Sequence, residues 1–383
     1  MQKKKILIVN KSFELGGIQT ALANMLQVIN NEYDISLAVF NPHGPLKEKT
    51  PENVKILKLS PLTEVLGMTK ADCKKYGSFV QRIFKFSASV WAKVFSNSLP
   101  VNIALFFQKP VGEFDAVISY HQETRSDTMV TGFGKFALKK CDSPLKIAWI
   151  HADFLATKLA TKKNLKTYRK FDKIISVSNT TMNNFIKAYP ELKEKCGYCY
   201  NYVSSNEILE KSQSLSNVYQ RKNNEIILFS ACRLVEEKGI IPAIENLMPL
   251  FKSGDRIKWY IAGDGPLKNN IEKILCDNNI ESKVVLLGYK ENPYPYIREA
   301  DFLFLPSLHE TFSMVISEAH ILKTPVIASD IPVMREVTNE TDYLCENGDF
   351  IKIIADNCTK KSTKSPVVIN EIQWSEQFRK VIS

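Results

Sequence analysis

The sequence predicts an α/β protein built as two Rossmann-like halves in tandem, and three observations carry that prediction. Apolar runs of strand length alternate with amphipathic helical stretches. The alternation halts at a Ser- and Asn-rich passage, 203–224, and then starts again. At 383 residues the chain also exceeds the size of one ordinary core, so two domains of roughly 150–200 residues are the natural division.

The elements follow in order. KILIVN (5–10) reads as a strand, and GGIQTALANMLQVINN (16–31) as an amphipathic helix opened by glycines. YDISLAVF (33–40), VKILKL (54–59), FDAVISY (114–120), LKIAWIHA (145–152) and FDKIISVS (171–178) are further strands with helical stretches between them. After 203–224, read as a linker, EIILFSACRL (225–234), IKWYIAGDG (257–265), KVVLLGY (283–289), ADFLFLPS (300–307) and TPVIASD (324–330) repeat the pattern. Strands joined by helices build a buried parallel sheet. Two such halves are expected to leave a cleft outside the carboxyl ends of both sheets, where open α/β folds bind ligands.

Several chemistries lack their signatures. No GxGxxG follows a strand, and no GxxxxGK[ST] phosphate loop occurs. No Asp-x-Asp pair offers the usual divalent-metal anchor for a diphosphate, so no metal and no cofactor are expected. Among eight scattered cysteines only Cys196 and Cys199 form a CxxC, with no second pair, which fits reduced thiols in a cytosolic protein. The basic start, MQKKKILIVN, reads as the first strand and not as a signal peptide. VNIALFF (101–107) is among the longest apolar runs, far short of the ~20 residues that span a bilayer.

Charge is divided unevenly. Residues 1–200 hold 30 Lys and Arg against 16 Asp and Glu, a net of +14, whereas 201–383 hold 21 against 25, a net of −4. Within the basic half, 70–100 mixes Lys70, Lys74, Lys75, Arg82, Lys85 and Lys93 with Phe79, Phe86, Trp91 and Phe95. Such a basic amphipathic segment suits an anionic membrane surface, or packs its apolar side on its own domain. No nucleic-acid-binding motif accompanies the charge.

The stretch SLHETFSMVISEAH (307–320) sets Glu310 before a helix and Glu318 inside it. A helix starting near Ser313 directs free N–H groups and its positive dipole end at whatever lies in front. Thr311, Phe312, Ser313 and Met314 would present backbone amides to an anion such as a diphosphate. A carboxylate accepts two hydroxyl hydrogen bonds, so Glu310 and Glu318, flanking that anion, suit a diol at each end. A nucleotide sugar has that form, with Glu310 reaching the hexose and Glu318 the ribose. Arg233 and Lys238 in SACRLVEEKG (230–239) supply cations just after a strand.

RLVEEKG, IAGDGPL, VVLLGY, ADFLFLPSLHETFSMVISEA and TPVIASDIPVMREV, in that order over roughly 225–340, resemble glycosyltransferase family 4. GGIQTALANML and WIHADF resemble its N-terminal pattern. The resemblance implies a retaining, nucleotide-sugar-dependent transferase of the GT-B fold. It would have an acceptor domain at 1–203, a donor domain at 204–366, and a closing helix at 367–383 that crosses back to the first domain. It also implies that His151 contacts the transferred sugar, and that Gly17 lets the backbone approach donor or acceptor. Arg233 and Lys238 would neutralise the diphosphate. The expected partners are a nucleotide-sugar donor, with a UDP-sugar favoured, and a saccharide acceptor, lipid-linked. The expected location is cytoplasmic, on the inner face of the cell membrane. The competing readings are an epimerase of the same fold and a non-catalytic partner that binds sugar nucleotides.

Overall fold

The computed structural model describes residues 3–222, 225–253, 256–357 and 370–383. Its contacts divide the chain into Met1–Tyr202 with Glu371–Ser383, and Val203–Asn370. In the first unit β1 (Lys5–Ser12), β2 (Asp34–Asn41), β3 (Lys55–Ile56), β4 (Ala116–Ser119), β5 (Lys146–Ile150), β6 (Lys173–Ser176) and β7 (Cys196–Tyr198) lie in the order β3-β2-β1-β4-β5-β6-β7. In the second, β8 (Ile226–Ala231), β9 (Ile257–Ala262), β10 (Val284–Gly288), β11 (Phe302–Leu305), β12 (Val326–Ser329) and β13 (Tyr343–Cys345) lie in the order β10-β9-β8-β11-β12-β13. Strands pair in parallel throughout the described residues.

The sequence dictates this because its strands are apolar on both faces. Ile6, Leu7, Ile8 and Val9 are fully buried in β1, as are Ile227, Leu228 and Phe229 in β8. Each sheet reverses its strand order once, between β1 and β4 and between β8 and β11. The crevice beyond the carboxyl ends of such a strand pair is where this topology binds ligands. The helix Glu371–Ile382 belongs to the first unit. There Trp374 stacks on Phe378 with centroids 5.4 Å apart and donates from Nε1 to the Tyr200 carbonyl at 2.6 Å.

Two expectations need correction. The passage 203–224 is not a loose linker, because it contains the helix Ser205–Ser212, and its described residues are tied to the second unit. Asn217 and Val218 donate backbone N–H groups to the Glu299 carboxylate, each at 3.0 Å, and the Tyr219 hydroxyl donates to the Tyr296 carbonyl at 2.6 Å. These hydrogen bonds tie it to the helix Tyr294–Glu299, so composition alone misreads it. The segment 70–100 does not pack most of its aromatic side on its own domain: Phe84 packs partly against the core, but Phe79, Phe86 and Phe95 are exposed. It forms the helices Lys70–Tyr76 and Phe79–Val94 and the start of a third, Ser98–Phe106. The packed face of Phe79–Val94 carries Gln81, Lys85, Ala88, Ser89 and Ala92. The predicted domain end at 366 and the polar stretch 358–368 lie outside the described residues.

Candidate functional site

In the second unit the loops after β8 and β11 meet at the strand-order reversal. The chain leaves β8 through Arg233 into a single 3-10 turn, Glu236–Lys238, and Gly239 follows in the left-handed region at φ 65°. A Cβ at Gly239 would lie 2.0 Å from the Pro306 carbonyl oxygen, so only glycine lets the two loops approach this closely. Across the contact, the Leu308 N–H donates to the Glu237 carbonyl at 2.8 Å.

This lacing brings Lys238 to Glu310, 72 positions away, in a partly buried ion pair. The Ser307 hydroxyl donates to the same carboxylate oxygen at 3.1 Å. The sequence showed no cation at helical spacing from Glu310; the structure supplies one from a separate loop. Arg233 beside it is exposed and has no carboxylate partner among the described residues. It therefore offers an uncommitted guanidinium.

Thr311 and Phe312 complete the loop, Ser313 is the N-cap, and the helix runs Met314–Ile321. The Ser313 side chain makes no capping hydrogen bond, so it leaves the first-turn donors to other acceptors. Glu318 lies in the second turn, beside Glu207 of the helix Ser205–Ser212 and Tyr294. Burial, then the Glu207 charge, pushes its carboxyl up to about 7. The far end of the helix is held by His320, whose Nε2 lies 2.8 Å from Asp342, while the other Asp342 oxygen accepts from the Val326 N–H of β12 at 2.9 Å.

Sequence reasoning missed a cavity of about 270 Å³ at the carboxyl ends of β8, β9 and β10, lined by Cys232, Arg233, Gly263, Asp264, Tyr289 and Lys290 among others. Its volume falls below the ~300 Å³ at which pockets for whole ligands begin, so it suits one part of a larger molecule. The signal was GDG at 263–265. Gly263 approaches so closely that a Cβ would sit 1.8 Å from the Cys232 carbonyl oxygen.

In the first unit His151 follows the end of β5 and is buried, its ring edge-on to Tyr120 at 4.7 Å. Burial, then neighbouring His121, holds the imidazole down at about 3, so it is neutral. Its Nε2 is buried without a hydrogen-bond partner among the described residues, as are Asn10 Oδ1, Ser12 Oγ and Asn41 Nδ2 at the carboxyl ends of β1 and β2. Each such atom costs about 1–3 kcal/mol, a cost that a hydroxyl-bearing ligand or water would relieve. Gly17 opens the helix Gly17–Ile29, and a Cβ there would meet nothing within 4 Å. Cys196 and Cys199 are free thiols pushed by burial up to about 11 and about 12, so both stay protonated. Among the described residues no three His, Cys, Asp or Glu side chains cluster as metal ligands.

The two glycines make opposite predictions. Gly239→Ala should lower the unfolding free energy by about 3 kcal/mol or more, because the new Cβ would wedge the laced loops apart. Gly17→Ala should leave the urea midpoint unchanged while weakening donor or acceptor binding. A large stability loss at Gly17 would return that glycine to a structural role.

The family described as Glycosyl transferases group 1 matches residues 224–361. The chain is 26% identical over 181 residues to the O-antigen biosynthesis glycosyltransferase WclY of Escherichia coli, covering 47% of this chain and 48% of that protein. It is also 26% identical over 167 residues to a Campylobacter jejuni enzyme, covering 43% of this chain and 42% of the enzyme. That enzyme is named N-acetylgalactosamine-N,N'-diacetylbacillosaminyl-diphospho-undecaprenol 4-alpha-N-acetylgalactosaminyltransferase. The chain thus spans about half the length of the curated relatives it matches. A structure of Anabaena HepE in complex with UDP-glucose is similar over 99% of this chain and 97% of that one, with a TM-score of 0.64 at 16% identity. That likeness extends the GT-B fold across both units, and the similarity to the group 1 glycosyl transferases lies in the second.

Proposed function

We propose that this protein transfers a hexose or N-acetylhexosamine from a UDP-sugar to a lipid-linked saccharide in cell-surface polysaccharide biosynthesis, with retention of configuration. The observation that carries the reading is the Lys238–Glu310 pair at the reversal point of the second sheet, beside Arg233 and the start of the Met314–Ile321 helix. An arriving diphosphate would draw Lys238 toward its oxygens, and Glu310 would then be free to accept sugar hydroxyls. Arg233 and the backbone amides from Thr311 to Met314 would share the phosphate charge. Glu318 would accept from the ribose, and the cavity at Arg233 and Tyr289 would take the nucleobase. Neutral His151 would hydrogen-bond the transferred sugar. The bond from C1 to the phosphate oxygen breaks, the acceptor oxygen bonds C1 on the same face, and the departing phosphate takes the acceptor proton. The UDP-glucose bound by HepE and the undecaprenol-linked saccharide in the Campylobacter enzyme's name support the donor and acceptor classes.

Location on the cytoplasmic face of the membrane is part of this reading, with the +14 charge of residues 1–200 drawn to anionic lipid. The test is UDP release from a panel of UDP-sugars with and without a lipid-linked saccharide. Acceptor-stimulated release supports the reading. Release that ignores every acceptor would overturn the acceptor class, and donor binding with no release would favour the non-catalytic partner. EDTA should leave turnover largely intact, since Arg233, Lys238 and the helix terminus are the diphosphate's proposed counter-charges. Complete loss restored by Mg²⁺ or Mn²⁺ would put the anchor elsewhere.

A further inference from the structure

The helix Phe79–Val94 is built inside out. Positions 81, 85, 88 and 92, one face at helical spacing, are buried and hold Gln81, Lys85, Ala88 and Ala92. The opposite face presents Phe79 and Phe86 to solvent at 78% and 71% exposure. The adjoining helix Ser98–Phe106 adds Phe106 at 80%, followed by exposed Phe107. Twelve of the 21 large hydrophobics exposed among the described residues fall between Phe79 and Phe107, which makes this one concentrated patch.

The orientation is fixed by hydrogen bonds. Gln81 Nε2 donates to the Pro61 carbonyl at 2.9 Å, and Lys85 Nζ donates to the carbonyls of Val65 at 3.2 Å and Met129 at 3.1 Å. Ser78 and Gln81 close a capping box at the helix start. Rolling the helix to bury its phenylalanines would break these contacts and strand the carbonyls. The exposed face is therefore part of the folded state.

Charge indicates what covers it. From 73 to 112 the sequence contains six Lys or Arg and no Asp or Glu. Five of the six, Lys74, Lys75, Arg82, Lys93 and Lys109, are exposed around the aromatic face. A second copy seated by two-fold symmetry would set this basic collar against itself. An anionic bilayer complements both parts, with acyl chains for the rings and headgroups for the collar.

We propose that the faces of the helices Phe79–Val94 and Ser98–Phe106 insert their aromatic side chains into the acyl boundary of an anionic bilayer. This deepens the peripheral-membrane part of the reading above and rests on it. The difference is testable: charge attraction alone holds the protein outside the headgroups, whereas insertion places side chains about 5–10 Å deep.

The protein carries its own reporter. Of four tryptophans, Trp149, Trp259 and Trp374 are buried, while Trp91 on this face is 40% exposed. Mixed phosphatidylglycerol–phosphatidylcholine vesicles should shift wild-type fluorescence to the blue, and lipids brominated along the acyl chain should quench it. Trp91→Phe should abolish both signals. Phe86→Glu and Phe106→Glu should weaken partitioning by roughly tenfold or more, with unchanged thermal unfolding because both side chains are already exposed. Replacing Arg82 and Lys93 by Gln should weaken binding less and reduce its salt sensitivity.

Binding that high salt abolishes, with no quenching of Trp91, would overturn insertion and leave electrostatic docking standing. Absence of binding to any vesicle would overturn both. A dimer in vesicle-free solution that Phe86→Glu dissociates would assign the face to a second copy. UDP release from donor alone, followed in the same variants, reports the donor site separately from the membrane.

Discussion

Lys238→Ala should lower kcat/KM for the nucleotide sugar by about 10²–10³-fold, the scale of removing one preorganised group that meets developing negative charge. Lys238 is paired with Glu310 and partly buried, so the substitution acts twice. In the proposed reaction it removes a cation from the place where the leaving diphosphate would gain charge, and that charge is larger in the transition state than in the bound donor. It also leaves the Glu310 carboxylate with the Ser307 hydroxyl at 3.1 Å in a site that excludes most water. Both kcat and KM should therefore change. Glu310→Gln separates the two effects, because it releases Lys238 to the phosphates while weakening acceptance of sugar hydroxyls. Its loss should fall mainly on kcat, with donor KM nearly preserved. Steady-state UDP release by the two variants checks this. Wild-type kinetics for Lys238→Ala would remove that lysine from the donor site.

How much of this was legible in the sequence follows from the kind of signal each element carries. The central strands announce themselves because parallel strands buried on both faces are continuous apolar runs, as in KILIVN and EIILFSA. β7 and β13 do not, since three residues such as Cys196, Gly197 and Tyr198 hold no periodic pattern. Pro332–Val337, a six-residue helix, was hidden for the same reason. Periodicity grouped the aromatic residues of 79–94 on one face, but it cannot say which face of a helix packs. That was decided by carbonyls contributed by Pro61, Val65 and Met129, far away in the chain. At the site, residue type and position after a strand singled out Lys238, Glu310 and Glu318. Their partners were not visible, because Lys238 meets Glu310 through loops laced at Gly239, and Glu318 meets Glu207 from a passage that composition marked as linker.

The Glu207 charge beside Glu318 makes the proposed donor site sensitive to pH. Burial and the neighbouring Glu207 raise Glu318 from the ordinary glutamate value to about 7, so at neutral pH about half of the molecules carry a protonated Glu318. The folded protein holds this proton more tightly than the unfolded chain does. Stability from this group is therefore highest below about 4.5, falls as pH rises, and is lost above about 7. The whole effect is up to about 3 kcal/mol. Glu318→Gln should flatten that slope, giving a variant more stable than wild type at pH 8 and no more stable at pH 4. Donor binding runs the opposite way. A ribose diol donates two hydrogen bonds to the carboxylate, which the protonated acid accepts poorly, so affinity for a UDP-sugar should rise through pH 7 and level off near pH 8. In Glu318→Gln the affinity should fall by about tenfold or more at pH 8, and its rise through pH 7 should disappear. Calorimetric titration with UDP-glucose at pH 6, 7 and 8, beside urea unfolding at pH 5 and 8, reads both slopes. A wild-type affinity flat across that range, with the variant equally tight, would take Glu318 off the ribose and leave it a half-buried acid beside Glu207.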